Sequence, residues 1–459
     1  MPENNSLRLS KLRLQNFRCF GTMAEDLELD PRLTVLVAKN GSGKTAVLNA
    51  LRISLGTFTR ASMAFSQANI KKSDATLPPF SVVNSAGAHY PVAIVVEGVV
   101  DSQPQTWKRE LLNSHGRTTS KDAKVVTNYG VALSDAVRAG RVETDLPIVA
   151  FYGTGRLWGD EPADVLMNDY RFAEEGRLSG YDDALTANSI YVQVKRWMAY
   201  AAKVRGNAVE RDTAHGQIVV RQYEAVVHAV DLLLRGSGFD TLHYSYTYGD
   251  LAVMDHHCAA TDGQSGAASV EIPVSWTSDG VKAAVSLVAD IAYRCIRLNP
   301  HRGDDACRLT QGIVLIDEVD MFLHPSWQQH FLSDLCEAFP LVQFVVTTHS
   351  PQIVSSVSAS SIRIITEDTR IVRVDKTEGV ESSRVLERVF GTEAYPSRNP
   401  WRAQLAQYIK DVYEGRWDEP AVRQMGEALS AYFAGVDAEF DTARLHVENE
   451  EWEREHASN

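Results

Sequence analysis

A glycine-rich loop at residues 38–45 has the residue types and spacing of a phosphate-binding site. It matches the P-loop pattern except at its first glycine, where Ala38 stands. Glycines let backbone N–H groups surround phosphate oxygens, while Lys44 suits the β- and γ-phosphates and the Thr45 hydroxyl suits Mg²⁺. A merely flexible Gly/Ser loop is the alternative, but a buried strand precedes the loop and an amphipathic helix follows it. We predict ATP and Mg²⁺ as ligands, with nucleotide contacts at Asn40, Gly41, Ser42, Gly43, Lys44 and Thr45.

A pair of carboxylates follows the aliphatic run at residues 313–316. Ligands bind at the carboxyl ends of strands in open α/β sheets, so Asp317 and Glu318 are placed to act on a nucleotide. We predict that Asp317 holds Mg²⁺ through water, together with Thr45, and that Glu318 polarises the attacking water. A buried strand that merely exits into an acidic turn is the alternative, which the P-loop in the same chain weakens.

A further apolar strand at residues 345–348 ends at His349, one helix and one strand after Asp317. A lone histidine is usually structural or on the surface. This spacing instead favours a contact between His349 and the γ-phosphate. Glu318 and His349 are therefore the predicted catalytic residues.

The bulk composition restricts where such a site would work. The 459 residues are 44% hydrophobic, which is enough to bury a large core. Because the net charge is −13, the surface as a whole does not attract nucleic acid, and any such contact is a local patch. The cysteines are scattered, the N-terminus is polar and no apolar run could span a bilayer. We predict a cytoplasmic protein that does not associate with membranes.

Hydrophobic periodicity predicts the elements that position these residues. Residues 7–15 alternate as an amphipathic strand with a slip in the middle, and residues 33–37 form a buried strand before the P-loop. Further predicted elements are buried strands at 313–317 and 342–347, helices at 182–236, 281–297 and 326–338, and a helical tail from 383 onward.

Two more segments give the chain a family resemblance. Residues 16–20, Asn-Phe-Arg-Cys-Phe, resemble the start of SMC- and RecF-type heads, and residues 277–280, Thr-Ser-Asp-Gly, resemble the ABC signature loop. The resemblance implies that Arg18 contributes to nucleotide binding. It also implies that Ser278 and Gly280 act in trans, on ATP held by a second copy, and therefore a homodimer or a higher homo-oligomer.

The fold class that this resemblance implies is α/β, a P-loop NTPase of ABC/SMC head type with a helical insertion and a helical C-terminal tail. We place the two parts of the head at 1–180 and 241–390, the insertion at 181–240 and the helical region, a candidate for partner docking, at 391–459. Thr277 stands in place of the signature leucine and Ala38 in place of a P-loop glycine, which favours slow hydrolysis or nucleotide sensing. Gln67 is a candidate Q-loop glutamine, with an ordinary loop residue as an equal alternative.

Within that superfamily, the chain resembles the PtuA ATPase of Septu and related retron anti-phage systems. The residues that carry this resemblance are 146–158, 278–280, 287–294 and the helical tail near 435–439. That family pairs its ATPase with a separate HNH nuclease. The resemblance therefore implies such a partner, nucleic acid bound through the complex, and cleavage gated by nucleotide state.

Two other functions compete with this one. A RecF-like DNA-repair ATPase clamp acting directly on DNA requires a basic surface in the closed dimer. An overcoming-lysogenization-defect nuclease requires a Toprim domain, and the residues after His349 hold no convincing carboxylate set for it.

Two clusters receive an ordinary interpretation. We favour a solvated helix face over a DNA contact for Lys195, Arg196, Lys203, Arg205 and Arg211. We do not predict a metal site at His256-His257-Cys258, because successive residues of a strand point to opposite faces.

Overall fold

The chain forms two compact units, Met1–Val385 and Leu386–Asn459. The computed structural model describes residues 7–22, 25–62, 68–77, 87–155, 176–186, 191–256, 269–374, 376–391 and 399–456. The predicted head and insertion fall in the first unit up to Val385, and the predicted helical C-terminal region falls in the second. The four-part division made from the sequence stays a prediction.

The elements of the described residues are as follows. The strands are β1 (Leu7–Gln15), β2 (Leu27–Glu28), β3 (Leu33–Ala38), β4 (Val92–Val100), β5 (Gln103–Leu111), β6 (Ile148–Tyr152), β7 (Phe239–Ser245), β8 (Asp250–Asp255), β9 (Val270–Pro273), β10 (Gly312–Ile316), β11 (Val342–Thr348), β12 (Ile362–Ile365) and β13 (Ile371–Val372). The α-helices are α1 (Lys44–Ser62), α2 (Lys124–Arg138), α3 (Tyr191–Gly206), α4 (Ala208–Arg211), α5 (Ala214–Leu234), α6 (Asp279–Leu298), α7 (Ala306–Leu309), α8 (Pro325–Gln328), α9 (Phe331–Ala338), α10 (Pro351–Ser356), α11 (Ser382–Arg388), α12 (Pro400–Tyr413), α13 (Pro420–Phe433) and α14 (Ala438–His456).

The central sheet of the first unit has six strands in the order β13-β12-β3-β11-β10-β6. All of them are parallel except β13, which pairs antiparallel with β12. Every residue of β3, β6, β10 and β11 is buried, as expected for parallel strands covered on both faces. Because β3, β10 and β11 are parallel, their last residues, Ala38, Ile316 and Thr348, lie at the same edge of the sheet. The loop after each of these strands carries one of the three predicted motifs.

A second sheet is antiparallel, in the order β2-β1-β4-β5. Its β1 pairs with β4, and the register shifts between Leu9 and Lys11. The slip predicted in the alternation of residues 7–15 is therefore confirmed as a β-bulge. Gln343 of β11 joins this sheet to the central one, because its side chain accepts from Leu9 N at 2.8 Å and donates to Leu9 O at 2.7 Å.

The helical insertion packs on the helix that follows the signature segment. α5 contacts α6, and α3 contributes Trp197, whose ring lies 5.7 Å from that of Tyr293 on α6. A third sheet, β7-β8-β9, completes this region. The helix predicted at 326–338 is in fact two, α8 and α9. It breaks because the backbone at His330 leaves the helical range, with φ −125°.

The second unit is a set of helices with its own core. α12 begins at Pro400, after Asn399, whose side chain accepts from Trp401 N. The buried residues of the core are Leu405, Tyr408, Val412, Trp417, Val422, Leu429, Phe440 and Ala443. They come from α12, α13, α14 and the turn before α13, so the predicted helical tail is confirmed.

Candidate functional site

The P-loop adopts a backbone conformation that requires glycine. Gly41 and Gly43 have φ of +83° and +106°, in the left-handed region. A Cβ on Gly43 would lie 2.7 Å from Cys19 Sγ and 2.9 Å from the Phe20 ring, so the loop after β1 packs directly on the P-loop. Ala38 needs no such freedom, because it is the last residue of β3 and its φ is not positive. The strand therefore accommodates alanine at the position of the first glycine.

Lys44 is buried at the start of α1 and is held by its own loop. Its Nζ donates to two loop carbonyls, that of Ala38 at 2.7 Å and that of Lys39 at 3.3 Å. Burial lowers the pKa of Lys44, and nearby carboxylates, with Asp317 the strongest, act in the opposite direction. A bound nucleotide would replace the carbonyl oxygens with phosphate oxygens, which are better partners for a buried ammonium group.

Thr45 and Asp317 form an oxygen-rich corner beside the P-loop. The Thr45 hydroxyl lies 3.4 Å from Asp317 Oδ1, and Asp317 is 3% exposed. Thr347 on β11 donates to the same oxygen at 2.6 Å. Hydroxyl and carboxylate oxygens are the ligands that Mg²⁺ prefers, so this donor set fits the ion predicted from the sequence.

Glu318 and His349 lie at the same edge of the sheet. Glu318 is half-buried with φ +48°, and its backbone N–H donates to Thr347 Oγ1 at 2.7 Å. Burial lowers the pKa of His349, and the charge on Lys44 lowers it further. The carboxylates of Asp320, Glu318 and Asp317 act in the opposite direction on that pKa. The structure thus brings together the P-loop lysine, the acidic pair and the histidine.

Two residues that sequence reasoning missed belong to this cluster. Thr347 contacts both acidic residues, and Asp320 acts electrostatically on both Lys44 and His349. One oxygen of Asp320, Oδ1, is buried and has no hydrogen-bond partner among the described residues. Both residues stand within three positions of a predicted one, but only the register of β11 and the turn after β10 bring them to the site.

Arg18 is held beside the P-loop by a buried carboxylate. Its Nε donates to Asp74 Oδ1 at 2.9 Å, and its backbone N–H donates to Asp74 O at 2.6 Å. Arg18 is followed by Cys19 and Phe20, whose side chains leave no room for a Cβ on Gly43. The loop at 16–20 therefore places Arg18 near the P-loop.

Ser278 and Gly280 lie at the start of α6. Ser278 is the N-cap, and its Oγ accepts from Val281 N. A Cβ on Gly280 would lie 2.5 Å from Phe322 O, so the signature segment packs against the loop after Glu318. Thr277 is buried and donates to Val274 O at 2.7 Å, which gives it a structural role.

A cavity of about 530 Å³ opens beside the signature segment, and its lining includes Ser278, Gly280, Phe322 and His324. None of the P-loop residues 40–45 lines it.

The remaining predicted features are distributed as follows. The mostly buried side chain of Lys195 forms an ion pair with Asp250, with 2.9 Å between Nζ and Oδ1. The Arg205 guanidinium lies over the Tyr223 ring. Arg211 pairs with Asp212 at 3.2 Å, so at least three members of the basic cluster have partners in the fold. His256 pairs with Asp240 at 2.9 Å. Gln67, residues 156–158, His257 and Cys258 lie outside the described residues. Among the helices that the structure describes, none is both long and apolar enough to cross a bilayer.

Comparison with known proteins agrees with this geometry. A family model described as an AAA domain matches residues 11–193, and another, described as "AAA domain, putative AbiEii toxin, Type IV TA system", matches residues 267–355. The Retron Ec83 probable ATPase of Escherichia coli is 24% identical over 502 aligned residues, which cover 98% of this chain and 88% of that protein. Septu protein PtuA of Bacillus mycoides (strain KBAB4) is 37% identical over 91 residues, 20% of this chain and 12% of that protein.

The chain is a P-loop ATPase, with retron ATPases and Septu PtuA proteins as homologues. The fold class predicted for the ATPase is confirmed, including the helical insertion and the C-terminal helices. Among solved structures, the SMC head domain from Thermotoga maritima matches the ATPase with a TM-score of 0.43 and 16% identity, covering 80% of this chain and 100% of that one.

Proposed function

We propose that this ATPase binds ATP with Mg²⁺, hydrolyses it slowly in composite sites formed by two copies, and thereby regulates a partner HNH nuclease in anti-phage defence. The observation that carries the proposal is the convergence of Thr45, Asp317, Glu318 and His349 around Lys44 at one sheet edge. Binding and hydrolysis of ATP require all of these groups in one site. Any one of them alone could be explained by a purely structural role.

Each residue has a distinct role in this proposal. Lys44 binds the β- and γ-phosphates, and the P-loop amides from Asn40 to Thr45 surround them. Thr45 and Asp317 hold Mg²⁺, which neutralises phosphate charge when bound. Glu318 polarises the attacking water, and His349 contacts the γ-phosphate. Burial and Lys44 lower the pKa of His349 in the nucleotide-free chain, so the imidazole is neutral near pH 7 and would contact the phosphate as an N–H donor.

The composite site rests on the separation of the signature segment from the P-loop. Ser278 and Gly280 line a cavity that excludes residues 40–45 of the same chain, which favours a role in trans. Arg18, which Asp74 holds in place, would lie beside the nucleotide that the P-loop binds. Thr277, which replaces the signature leucine, favours slow hydrolysis. Its hydroxyl donates a hydrogen bond to Val274 O inside the fold.

The nuclease partner rests on the relatives. A retron ATPase matches nearly the whole chain, and a Septu PtuA protein matches a fifth of it. The Septu resemblance drawn from the sequence carries with it a separate HNH nuclease and contact with nucleic acid through that complex. The cytoplasmic location is proposed from the composition. The second unit, with its own core, is the candidate docking module for this partner.

The test is co-expression of the chain with its neighbouring reading frames, affinity capture with and without ATP, and native mass spectrometry of what is captured. We expect an assembly of at least two copies with a small HNH protein. The Lys44→Ala chain is the matched control, and it should lose whatever part of the assembly depends on ATP. A chain that dimerises only with ATP and captures no nuclease would refute the partner and favour the RecF-like clamp.

A further inference from the structure

Five exposed cationic side chains stand on two segments of the first unit that hydrogen bonds join, and we call them the basic surface: Lys71, Lys72, Arg117, Lys121 and Lys124. None of the five has an ion pair within the part of the chain that the structure describes. Two carboxylates occur in the same segments. Asp74 is buried and bound to Arg18, which leaves Asp122 as the exposed one. This local excess of positive charge stands out in a chain with a net charge of −13.

Hydrogen bonds join the segments that carry the basic surface. Thr118, next to Arg117, accepts from Ile70 N at 2.9 Å and donates to Ile70 O at 3.2 Å. Beneath them lies Arg109, fully buried, which donates to Asn69 Oδ1 and to Thr119 O, each at 2.9 Å. The cations are thus presented by a fixed scaffold, although residues about 50 positions apart in sequence contribute to it.

We propose that the basic surface binds the phosphate backbone of a nucleic-acid duplex. Cationic side chains without an ion-pair partner bind a polyanion, and this binding releases the counterions of the polyanion. Ser73, Ser114 and Ser120 stand in the same segments, and serine hydroxyls contact phosphates in protein–nucleic acid complexes.

A duplex fits this surface better than a single strand does. Proteins that bind single strands stack the bases on aromatic side chains. The described residues at 68–77 and 113–124 contain no Phe, Tyr or Trp. Phosphate contacts without base stacking are the pattern of sequence-independent duplex binding.

The basic surface is also connected to the nucleotide site, a point that rests on the proposed function. Asp74 accepts from Lys71 N at 2.8 Å through one carboxylate oxygen and from Arg18 Nε at 2.9 Å through the other. A duplex that moves the Lys71 segment therefore also moves Arg18, beside the loop that contacts Gly43. Duplex binding should change the rate of ATP hydrolysis, and Asp74→Asn should weaken that effect.

The decisive experiment measures binding of the full chain, without nucleotide, to a fluorescent mixed-sequence DNA duplex by anisotropy over a range of salt concentrations. We expect a log–log salt slope of about −4, since each neutralised phosphate contributes about −0.9. Lys121→Glu/Lys124→Glu should weaken binding by about tenfold or more and reduce the magnitude of the slope by about 2. Because no nucleotide is present, this result does not depend on the ATPase proposal.

The matched control is Lys376→Glu/Arg384→Glu, which changes net charge equally at exposed positions of the same unit. It should bind the duplex within about twofold of wild type, since overall charge alone is a weak, screened effect. Equal weakening by the two double variants would overturn the proposal, as would a duplex affinity no greater than that for anionic lipid vesicles or an acidic protein. RNA duplex binding as tight as DNA binding supports it, because the phosphate backbone is common to both.

Discussion

The hydroxyl of Thr347 donates to Asp317 Oδ1 at 2.6 Å and accepts from the Glu318 backbone N–H at 2.7 Å. One side chain on β11 therefore positions both members of the acidic pair that follows β10. Thr347 is fully buried, so neither bond has water as a substitute.

Thr347→Val should impair ATP hydrolysis while leaving ATP binding nearly intact. The change keeps the shape of the side chain and leaves Asp317 and Glu318 without one partner each, at a cost of about 1–3 kcal/mol. We expect kcat, measured as the rate of phosphate release, to fall by about tenfold or more. Thr34→Val removes a hydroxyl that is also fully buried but accepts from Asp30 N, and it should keep wild-type kcat. Equal kcat for wild type and Thr347→Val would contradict the positioning role.

Lys44→Ala and Glu318→Gln should separate ATP binding from ATP hydrolysis. Lys44 is the buried cation of the P-loop, so its loss should abolish binding of a fluorescent ATP analogue. Glu318→Gln keeps the shape of the side chain but removes the negative charge that polarises water, so it should trap an ATP-bound dimer detectable by light scattering. Lys39→Ala, which removes an exposed cation paired with Glu367, is the control for loss of a positive charge. ATP binding by Lys44→Ala at wild-type affinity would refute the site assignment.

Gly280→Ala should disrupt the signature segment. The added Cβ would meet Phe322 O at 2.5 Å, and relief of such overpacking costs about 1–3 kcal/mol. We expect the monomer to bind ATP normally and to lose ATP-dependent dimerisation in sedimentation experiments. Gly206→Ala, where a Cβ would meet nothing within 4 Å, should behave as wild type. Normal dimerisation of Gly280→Ala would count against the composite site.

The stability of the first unit should depend on pH through His349. Burial lowers its pKa in the folded chain, with Lys44 adding to the effect, while the unfolded value is about 6.5. As pH falls through about 6.5, the unfolded chain takes up a proton that the folded chain does not, so the free energy of unfolding falls until the folded pKa is reached. Urea unfolding at a series of pH values should show a shallower fall for His349→Gln than for wild type. An identical pH dependence would show that His349 is not responsible.

Asp290→Ala should be strongly destabilising. Asp290 and Arg294 form an ion pair on α6 at 3.1 Å, with side chains 1% and 2% exposed. Removing the aspartate leaves Arg294 buried with its charge uncompensated, which costs about 3–5 kcal/mol. The control, Asp279→Ala, breaks a surface pair with Lys282 and should cost less than about 1 kcal/mol. The urea midpoint of unfolding measures the loss of stability in each variant. Similar shifts of that midpoint in Asp290→Ala and Asp279→Ala would refute the greater cost of breaking the buried pair.

The sequence by itself was enough to predict that this protein is an ATPase. Residues 38–45, Asp317-Glu318 and His349 were recognisable because each motif lies in one short segment between elements with clear hydrophobic periodicity. The order of these segments predicted an α/β nucleotide-binding core, and the resemblance to SMC- and RecF-type heads supplied the rest of the predicted fold class.

Only the tertiary structure decided which other residues join the motifs. Thr347 and Asp320 reach the site through strand register and a tight turn, which periodicity does not encode. Arg18 acquired a carboxylate partner 56 positions away. The basic surface was missed for the same reason, because its cations are separated in sequence and become one surface only through hydrogen bonds between distant segments. Contacts at long sequence separation depend on the packing of the whole unit, which no local pattern of residue types specifies.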